Sequence, residues 1–440
     1  MVGITKMKAE KQKAEKEAFF CTTKELSRLG LEQIPTQFQS HKHLIYSSPA
    51  TLAFNSPGAE GFGVKRAGLA VPDSIMLIVA PGCCGRNTSL ISSMKEYNDR
   101  FYYLMMDETD IVTGRHLKKI PKAVEEICSV CPKKPSVVMI CITCVDALLG
   151  TDMERVCKKA EERVEIPVRP CYMYALTREG RKPPMVHVRQ SLYSLLEPGK
   201  KKGNVVNLLG FFSPLVDDCE IYDLLHSAGV KTSHEISRCK DYKEYQTMSE
   251  ANFNLVLHHE ARFAAEDFHN RLQIPFIELR RLYQIDKIEN QYHALGNALG
   301  VAFYDEKYKK QAEDALEKFR QKCPDASFAI GECLNADPFE LSLALIRYGF
   351  SVPEIYGTIT VENFTYIRSL AKISPETKVF SNMEPTMIYY DPAKSGVNLA
   401  IGKDACYYHP DCPYVMWNGE EQPYGYAGVR RLFEQLLEVV

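Results

Sequence analysis

Cysteines stand directly after two apolar runs of the sequence, where their thiols could bind a metal. Cys83 and Cys84 follow the run at residues 74–80, and Cys144 follows the run at residues 136–142. Thiolates are soft ligands that select iron–sulfur clusters or zinc, and backbone amides in the loop after a strand help to hold them. We therefore predict that Cys83, Cys84 and Cys144 are metal ligands.

Other cysteines offer alternative metal sites. Cys128 and Cys131 form a C-x-x-C pair. Cys141 and Cys144 form a second pair, and two such pairs are typical of zinc sites. We favour iron over zinc, because Cys128 lies at the end of a predicted helix and Cys144 lies at the far end of the strand that follows it. These two points do not meet in the predicted fold. Cys141 falls inside an apolar run and is expected to pack as a small hydrophobic residue. The segment Cys406-Tyr-Tyr-His-Pro-Asp-Cys412 is interpreted as an irregular surface segment rather than a chelating site.

Short apolar runs alternate with helical periodicity along the chain, as in parallel strands connected by helices. A turn-rich linker at residues 197–203 separates the first series of runs from the second, and a third series starts at Ser327. This repetition indicates an α/β protein with three doubly wound domains, each with a mainly parallel sheet. The predicted strands are residues 74–80, 101–106, 136–142, 204–210, 254–257, 274–277 and 327–330.

Helix signals complete the predicted organisation. A Lys/Glu-rich helix is predicted over residues 6–29, and another over 217–228 with Asp217 or Asp218 as its cap. Asp337-Pro338 is expected to begin a further helix. The predicted regions are an N-terminal helical extension at 1–48, a cluster-binding α/β domain at 49–200, a second α/β domain at 201–321, and a third α/β domain with a C-terminal helix at 322–440.

Residues that follow the predicted strands are candidates for a binding site, because open parallel sheets bind ligands beyond the carboxyl ends of their strands. His258 and His259 follow one strand, and strand alternation should point only one ring into a cleft. We predict His258 as catalytic, since imidazole can transfer a proton near neutral pH or ligate a metal. His259 and Arg262 are predicted to bind substrate, with Arg262 holding an anionic group. The alternative to a catalytic histidine is one that is hydrogen-bonded to the backbone in the interface between domains. The segments of interest are 81–87, 143–150, 258–262 and 331–335.

Composition excludes several classes of protein. The chain has 440 residues, with 54 basic and 56 acidic side chains and a net charge of -2, which argues against nucleic-acid binding. The sequence lacks a run of 18 apolar residues, so we predict a cytoplasmic protein without a membrane span. In that compartment 15 cysteines point to metal or redox chemistry rather than disulfides. A phosphate-binding Gly-x4-Gly-Lys-Ser/Thr loop is missing, so we expect no bound ATP.

The cysteine motifs resemble those of the nitrogenase component 1 superfamily. The turn Ala80-Pro-Gly-Cys-Cys-Gly85 is similar to the family's Gly-Pro-x-Gly-Cys turn after its first strand. Thr143-Cys144 with Leu149-Gly150-Thr151-Asp152 resembles the family's Thr-Cys segment. Weaker similarities follow in the same order along the chain, in Val206-Asn-Leu-Leu-Gly210, Asn254-Leu-Val256, Gln273-Ile-Pro275 and Pro423-Tyr-Gly-Tyr-Ala-Gly428.

This resemblance implies three Rossmann-like domains, an iron–sulfur cluster at a subunit interface and a separate ATP-dependent iron–sulfur reductase as electron donor. One turn ligand and one Thr-Cys ligand per chain supply two thiolates, and a four-iron cluster commonly takes four. We therefore predict a 4Fe-4S cluster that bridges a homodimer, with a larger cluster, or a sister chain in place of the second copy, as the alternatives. Such a protein should require anaerobic handling.

Several positions depart from the nitrogenase pattern. The region at 55–60 contains no cysteine, although nitrogenase chains have a cluster ligand there. His258 and His259 stand where nitrogenase has a cofactor-binding cysteine, and Pro423-Tyr-Gly425 lacks the family's cofactor histidine. A molybdenum–iron cofactor and the reduction of dinitrogen are therefore not expected.

The function predicted from these residues is that of an iron–sulfur oxidoreductase, the catalytic component of a nitrogenase-like two-component reductase with an unidentified substrate. Electrons would enter at the cluster bound by Cys144. The protein would bury this cluster and orient the substrate, and the electron chemistry would belong to the cluster. The alternative is a non-catalytic scaffold on which a metallocofactor is assembled and handed on. A zinc-stabilised α/β binding protein is a third, weaker reading.

Overall fold

The computed structural model describes residues 17–40, 48–54, 63–82, 92, 94–173 and 182–440. Within these residues the strands are, in chain order, β1 (Phe20–Thr22), β2 (Ile75–Ala80), β3 (Phe101–Met105), β4 (Val138–Ile142), β5 (Val168–Tyr172), β6 (Lys202–Leu209), β7 (Thr232–His234), β8 (Ala251–Val256), β9 (Phe276–Glu278), β10 (Ser327–Ile330), β11 (Ser351–Tyr356), β12 (Lys378–Phe380), β13 (Leu399–Ile401) and β14 (Tyr414–Val415).

Helices of the described residues connect these strands and cover the sheets. They are α1 (Thr23–Leu29), α2 (Pro49–Phe54), α3 (Val64–Gly68), α4 (Glu108–Thr113), α5 (His116–Val130), α6 (Cys144–Leu149), α7 (Met153–Val164), α8 (Pro184–Tyr193), α9 (Glu220–Ser227), α10 (Tyr242–Gln246), α11 (Arg262–Leu272), α12 (Ile285–Leu299), α13 (Glu306–Lys322), α14 (Pro338–Arg347), α15 (Phe364–Ile373), α16 (Lys403–Tyr408) and α17 (Gly425–Val439). None of them is both long and apolar enough to cross a bilayer.

The described strands form three sheets. The first has the order β3-β2-β4-β5, the second β7-β6-β8-β9, and the third β1-β12-β11-β10-β13-β14. Every pairing is parallel except that of β1 with β12. The predicted α/β class with mainly parallel sheets is therefore confirmed.

Buried strands make the core of the first sheet, as their continuous apolar runs predict. All six residues of β2 and all five of β4 are buried. The two strands are neighbours, with Val79 opposite Ile142. Their carboxyl ends therefore meet at one edge of the sheet, which is the juxtaposition that the cysteine prediction requires.

A shared apolar core joins the second and third sheets. Leu208 of β6 and Phe328 of β10 belong to one continuous cluster of buried side chains. The amphipathic helices α13 and α17 pack against each other in this core through Phe319 and Phe433, whose ring centroids are 5.6 Å apart. Burial of such aromatic surface stabilises this junction.

The N-terminal segment departs from the predicted helix over residues 6–29. Residues 1–16 lie outside the described residues, and Phe20–Thr22 form β1, paired antiparallel with β12. The helix begins only at Thr23, because Thr22 and Glu25 form a capping box in which each side chain accepts a hydrogen bond from the other residue's backbone N–H. The helix prediction is therefore wrong for Phe20–Thr22.

Two other predicted helix starts had different outcomes. Asp337 caps α14 through hydrogen bonds from the backbone of Phe339 and Glu340, as predicted. The cap of α9 is Cys219 rather than Asp217 or Asp218, so that prediction is wrong. Asp218 instead pairs with Arg430 and Arg431 of α17, and this ion-pair geometry draws its carboxylate away from the helix start.

Candidate functional site

Cys144 lies at the carboxyl edge of the first sheet. It is the first residue of α6, it follows the cap Thr143, and its side chain is half-buried. Because β4 lies beside β2, Cys144 and Pro81, which begins the loop after β2, share this edge. Cys83 and Cys84, in that loop, lie outside the described residues, so their predicted role as ligands stays a prediction.

A buried polar network anchors the turn that carries Cys144. His116 Nε2 lies 2.9 Å from Asp146 Oδ1, and His116 Nδ1 lies 3.1 Å from the Asp110 carbonyl oxygen. The Thr151 hydroxyl also donates to Asp146 at 3.0 Å. Hydrogen bonds from Lys119 and Arg115 lower the pKa of Asp110 to about 2. The sequence analysis missed His116 and Asp146, since their separation in sequence carries no motif.

The surface next to Cys144 exposes apolar side chains. They belong to the end of β3, to α4 and to α6, and they are Met105, Val112, Leu148 and Leu149. Single exposed apolar residues are common, but a group of them at one edge of a sheet is typical of an interaction surface.

The alternative cysteine sites do not assemble. Among the described residues, which include Cys128, Cys131, Cys141 and Cys144, no three potential ligands converge on one point. Cys141 is fully buried in the core opposite Cys171 of β5, which matches its predicted packing role.

The segment Cys406–Cys412 is not the irregular surface segment that the sequence analysis predicted. His409 is buried, and its Nε2 lies 2.9 Å from the Tyr390 hydroxyl and 3.3 Å from Glu354 Oε2. These bonds hold the imidazole beneath the third sheet, and α16 places Cys406 in the same core. The interpretation as an irregular surface segment is wrong because the His409 side chain has buried hydrogen-bond partners.

A cleft of about 500 Å³ separates the second and third sheets at their carboxyl ends. It is bounded by the segments after β6, β8 and β9 on one side and after β10 and β11 on the other, together with α8. The predicted segments 258–262 and 331–335 both contribute, so the sheet-edge rule locates the cleft. Its lining includes His258, His259, Glu260, Arg262, Glu278, Arg281, Glu332 and Asp337.

Both histidines line this cleft, and their rings stack with centroids 4.5 Å apart. The expectation that alternation sends them in opposite directions is wrong. The strand ends at Val256, and His258 caps a 3-10 turn over His259–Ala261, so the period of two no longer applies.

Arg262 already has a partner in its own chain. Its Nε and Nη2 atoms donate to the two carboxylate oxygens of Glu278 at 2.9 and 2.7 Å. This hydrogen bonding lowers the pKa of Glu278 and raises that of Arg262. The Arg262 guanidinium, which was predicted to hold an anionic substrate, therefore binds a carboxylate of β9. Its role toward a substrate stays a prediction.

Burial and positive charge govern the electrostatics of the inner cleft. Removal from bulk water, with the charges of Arg189 and Arg281, lowers the pKa of His258 well below its ordinary value. Arg281 lies over the Phe211 ring at 4.3 Å and donates to the Gln422 side chain at 2.6 Å. Burial lowers the pKa of Arg281 itself.

Glu332 faces the same cleft from the third sheet. Its Oε1 accepts a hydrogen bond of 2.9 Å from the backbone of Thr358, and burial raises the pKa of its carboxyl. Sequence reasoning missed Arg189 because it lies within α8. It also missed Arg281, although this residue follows the predicted strand 274–277 and the strand-end rule could have found it. The cleft thus combines histidines with arginines and a carboxyl whose pKa is raised by burial.

Comparisons with known proteins agree with this architecture. The sequence profile described as "Nitrogenase component 1 type Oxidoreductase" matches residues 60–440. A relative from Sinorhizobium fredii, named nitrogenase iron-molybdenum cofactor biosynthesis protein NifE, is 25% identical over 418 residues, or 89% of this chain and 82% of that protein. The NifE of Nostoc sp. is 25% identical over 284 residues, which span 61% of this chain and 58% of that protein.

Solved structures share the fold. The structure described as "Nitrogenase Cp1 at pH 6.5" has a TM-score of 0.69 at 19% identity, covering 90% of this chain and 92% of that one. A second structure, "Nitrogenase Cp1 at pH 5", has a TM-score of 0.59 at 15% identity, covering 86% and 87%. With the profile match over residues 60–440, the chain belongs to the nitrogenase component 1 family.

Proposed function

We propose that this protein is a scaffold on which a metallocofactor is assembled and from which it is handed on. The observation that carries the proposal is the cleft between the second and third sheets, where histidines and arginines line about 500 Å³. A space of this size fits the range of small-molecule sites. Anionic metal–sulfur cargo is complementary to the positive charge of Arg281, which donates to the neutral Gln422 side chain.

The names of the relatives support the scaffold over the catalytic reductase. The NifE proteins that match up to 89% of the chain are cofactor biosynthesis proteins by name. The likeness to nitrogenase Cp1, at 19% identity, concerns the fold alone. The reductase prediction is therefore the less favoured one, and enzymatic activity is not part of this proposal.

A resident iron–sulfur cluster at the edge of the first sheet is the second part of the proposal. Family membership supports iron–sulfur binding in general. The half-buried Cys144 thiol, at the start of α6, is chemically suited to iron, and Cys83 and Cys84 are proposed to complete the ligands. When bound, such a cluster would supply one-electron chemistry; the chain supplies the thiolates and the turn anchored by Asp146 and His116.

Partners follow from the same edge. Two proposed thiolates per chain leave a four-thiolate cluster incomplete, so a second copy or a sister chain is proposed to cover the exposed Leu148 and Leu149. A separate ATP-dependent iron–sulfur reductase is proposed as the electron donor. We place this assembly in the cytoplasm, as the sequence predicts.

Iron analysis of protein purified without oxygen tests the proposal. We expect iron and no stoichiometric zinc, and Cys144→Ala should lose most of the ligated iron because a thiolate ligand is removed. Cys128→Ala is the matched control: it is another half-buried cysteine, outside the proposed site, and should keep wild-type iron content.

The scaffold part has its own measurement. After reconstitution with iron and sulfide, the protein should hold iron beyond the Cys144 cluster and release that extra iron to an apo acceptor protein. His258→Ala should lose the transferable iron while keeping the Cys144 cluster spectrum, whereas His293→Ala, an exposed histidine of α12, should keep both. Substrate turnover without transferable iron would favour the reductase and overturn the scaffold.

A further inference from the structure

Arg189 clamps together the two turns that form the inner end of the cleft. Its Nε and Nη2 atoms donate to the Gly210 carbonyl oxygen at 3.0 and 2.6 Å, after β6. Its Nη1 donates to Glu260 Oε2 at 2.7 Å, after β8, and to the Met185 carbonyl oxygen at 3.0 Å. The side chain is 5% exposed, so one buried guanidinium fixes both turns.

The clamped turns touch at Gly210 and His258. Gly210 has φ of +139°, and a Cβ atom at this position would lie 2.7 Å from the His258 backbone nitrogen. A side chain would therefore push the His258 turn away, and glycine is required for the approach. The backbone of His258 is thus set by packing against the turn that Arg189 holds.

The ring of His258 is fixed by the next turn residue. The backbone N–H of Glu260 donates to His258 Nδ1 at 3.3 Å. A backbone N–H can only donate, so Nδ1 is an acceptor and the neutral ring carries its proton on Nε2. Among the described residues Nε2 has no hydrogen-bond partner, so its N–H is left for a ligand in the cleft.

The charged groups around this ring favour the neutral form. Arg189, Arg281 and His259 disfavour a positive charge on His258, whereas Glu260 Oε2, 3.8 Å from Nδ1, favours it. That carboxylate is already paired with Arg189. The other carboxylates that line the cleft are those of Glu278, Glu332, Asp337 and Glu362. The neutral donor form therefore agrees with both the hydrogen bond from Glu260 and the surrounding charges.

We propose that His258 acts as a neutral Nε2–H hydrogen-bond donor to an anionic acceptor atom of the cleft ligand, and that Arg189 is the positioning residue that holds it in this state. The proposal rests on the proposed function in that the cleft binds anionic cargo. It specifies the ligand chemistry: a sulfide or carboxylate acceptor reaches Nε2, whereas a metal ion bound directly at Nε2 would require that proton to leave.

The tautomer can be measured on the protein without any cargo. In protein labelled with ¹⁵N-histidine, two-bond ¹⁵N–¹H correlation spectra distinguish a ring protonated on Nε2 from one protonated on Nδ1, and His258→Gln identifies the signal. We expect a single neutral Nε2–H pattern for His258 at pH 7. An Nδ1–H pattern or a charged ring would overturn the proposal, and sequential assignment of the wild-type spectrum identifies the His258 signal if His258→Gln does not fold.

Arg189→Lys tests the positioning role. Lysine keeps the charge but lacks the planar fork that reaches Gly210 and Glu260 together, so His258 should change from one tautomer to a mixture. Arg271→Lys is the matched control, because Arg271 also donates to two carbonyl oxygens and pairs with Asp267, in α11. If Arg189→Lys leaves the tautomer pattern of His258 unchanged, Arg189 does not position His258.

The cargo measurement separates the two proposals. A wild-type protein with the Nε2–H tautomer but no transferable iron would overturn the scaffold function and leave the state of His258 established. Transferable iron together with an Nδ1–H tautomer would overturn the donor role and leave the scaffold function intact.

Discussion

The Cys144 edge and the His258 cleft are both formed by the carboxyl ends of parallel strands, yet their surroundings differ. At the Cys144 edge, Leu148 and Leu149 of α6 are exposed to solvent. In the cleft, the second and third sheets face each other, and Arg189 and Arg262 each pair with a carboxylate from their own chain.

This difference separates two ways of building a site on one kind of sheet. The cleft is lined by residues of a single chain, and two of its arginines are paired with carboxylates of that chain, so its geometry can be set before a ligand or subunit arrives. The Cys144 edge has its anchoring network of His116 and Asp146 inside and apolar side chains outside, which is the arrangement expected where another chain completes the site.

Of the changes considered, a charge introduced at the exposed Cys144 edge is expected to have the largest effect. We expect Leu148→Asp to weaken self-association by about 100-fold or more, because an uncompensated buried charge costs roughly 3–5 kcal/mol. Sedimentation velocity over a range of protein concentrations measures this effect.

Val130→Asp is its matched control. Val130, at the far end of α5, has the same 66% exposure as Leu148, and its replacement should leave the oligomeric state unchanged. A monomeric wild-type protein that retains its whole cluster would contradict the view that this edge needs a second chain.

The pH dependence of stability tests whether the wall of the cleft is held in place by a single chain. Burial raises the pKa of Glu340, at the base of α14, from 4.5 to about 7. The folded chain then binds more protons than the unfolded chain between these values, so stability falls as pH rises through this window. Relative to Glu340→Gln, the wild type should lose roughly 2–3 kcal/mol of unfolding free energy between pH 5 and pH 8.

Urea unfolding of both proteins at the two pH values provides this measurement. Glu340 accepts hydrogen bonds from the backbone of Tyr283 and the side chain of Gln284, both at 2.9 Å, and glutamine retains one acceptor oxygen for them. An equal pH dependence of the two proteins would show that the Glu340 carboxyl does not titrate differently on folding.

The smallest expected effect concerns the link between the two regions. Arg66 of α3 donates to Glu420 at 2.6 Å, and Glu420 is followed closely by Gln422 of the cleft. Glu420 is 56% exposed, and the buried Arg66 guanidinium keeps its hydrogen bond to the Tyr97 hydroxyl, so Glu420→Ala should cost less than about 1 kcal/mol in urea unfolding. The exposed neighbour Glu421→Ala is the control. A larger loss, or a change in the His258 tautomer, would mean that the two regions are coupled.

The sequence predicts some strands well because parallel strands bury both faces, whereas β1, β5, β7 and β11–β14 were not predicted. The apolar runs ending at Ala80 and Ile142 correspond to β2 and β4, and the run at 327–330 coincides with β10. The location of the cleft at 258–262 and 331–335 follows from the same rule. Family motifs around Cys144 led to the correct family, which strand patterns alone do not identify.

Side-chain partners were much less predictable. The pairing of Arg262 with Glu278 joins a helix start to a strand 16 residues later, and no local pattern encodes it. Arg189 reaches Glu260 across 71 residues, and His409 reaches Glu354 across 55. Such contacts depend on how separate units pack, so the chemistry of the cleft emerges only from the tertiary structure.

The antiparallel pairing of β1 with β12 has a consequence for folding during synthesis. The neighbouring hydrogen bond from Phe19 to Thr386 joins residues 367 positions apart in sequence. At a translation rate of about 5–20 residues per second, the N-terminal segment waits roughly 20–70 s for its binding site to leave the ribosome. Until then the apolar strand Phe20–Thr22 is exposed on a nascent chain, and it is a segment on which a chaperone could act.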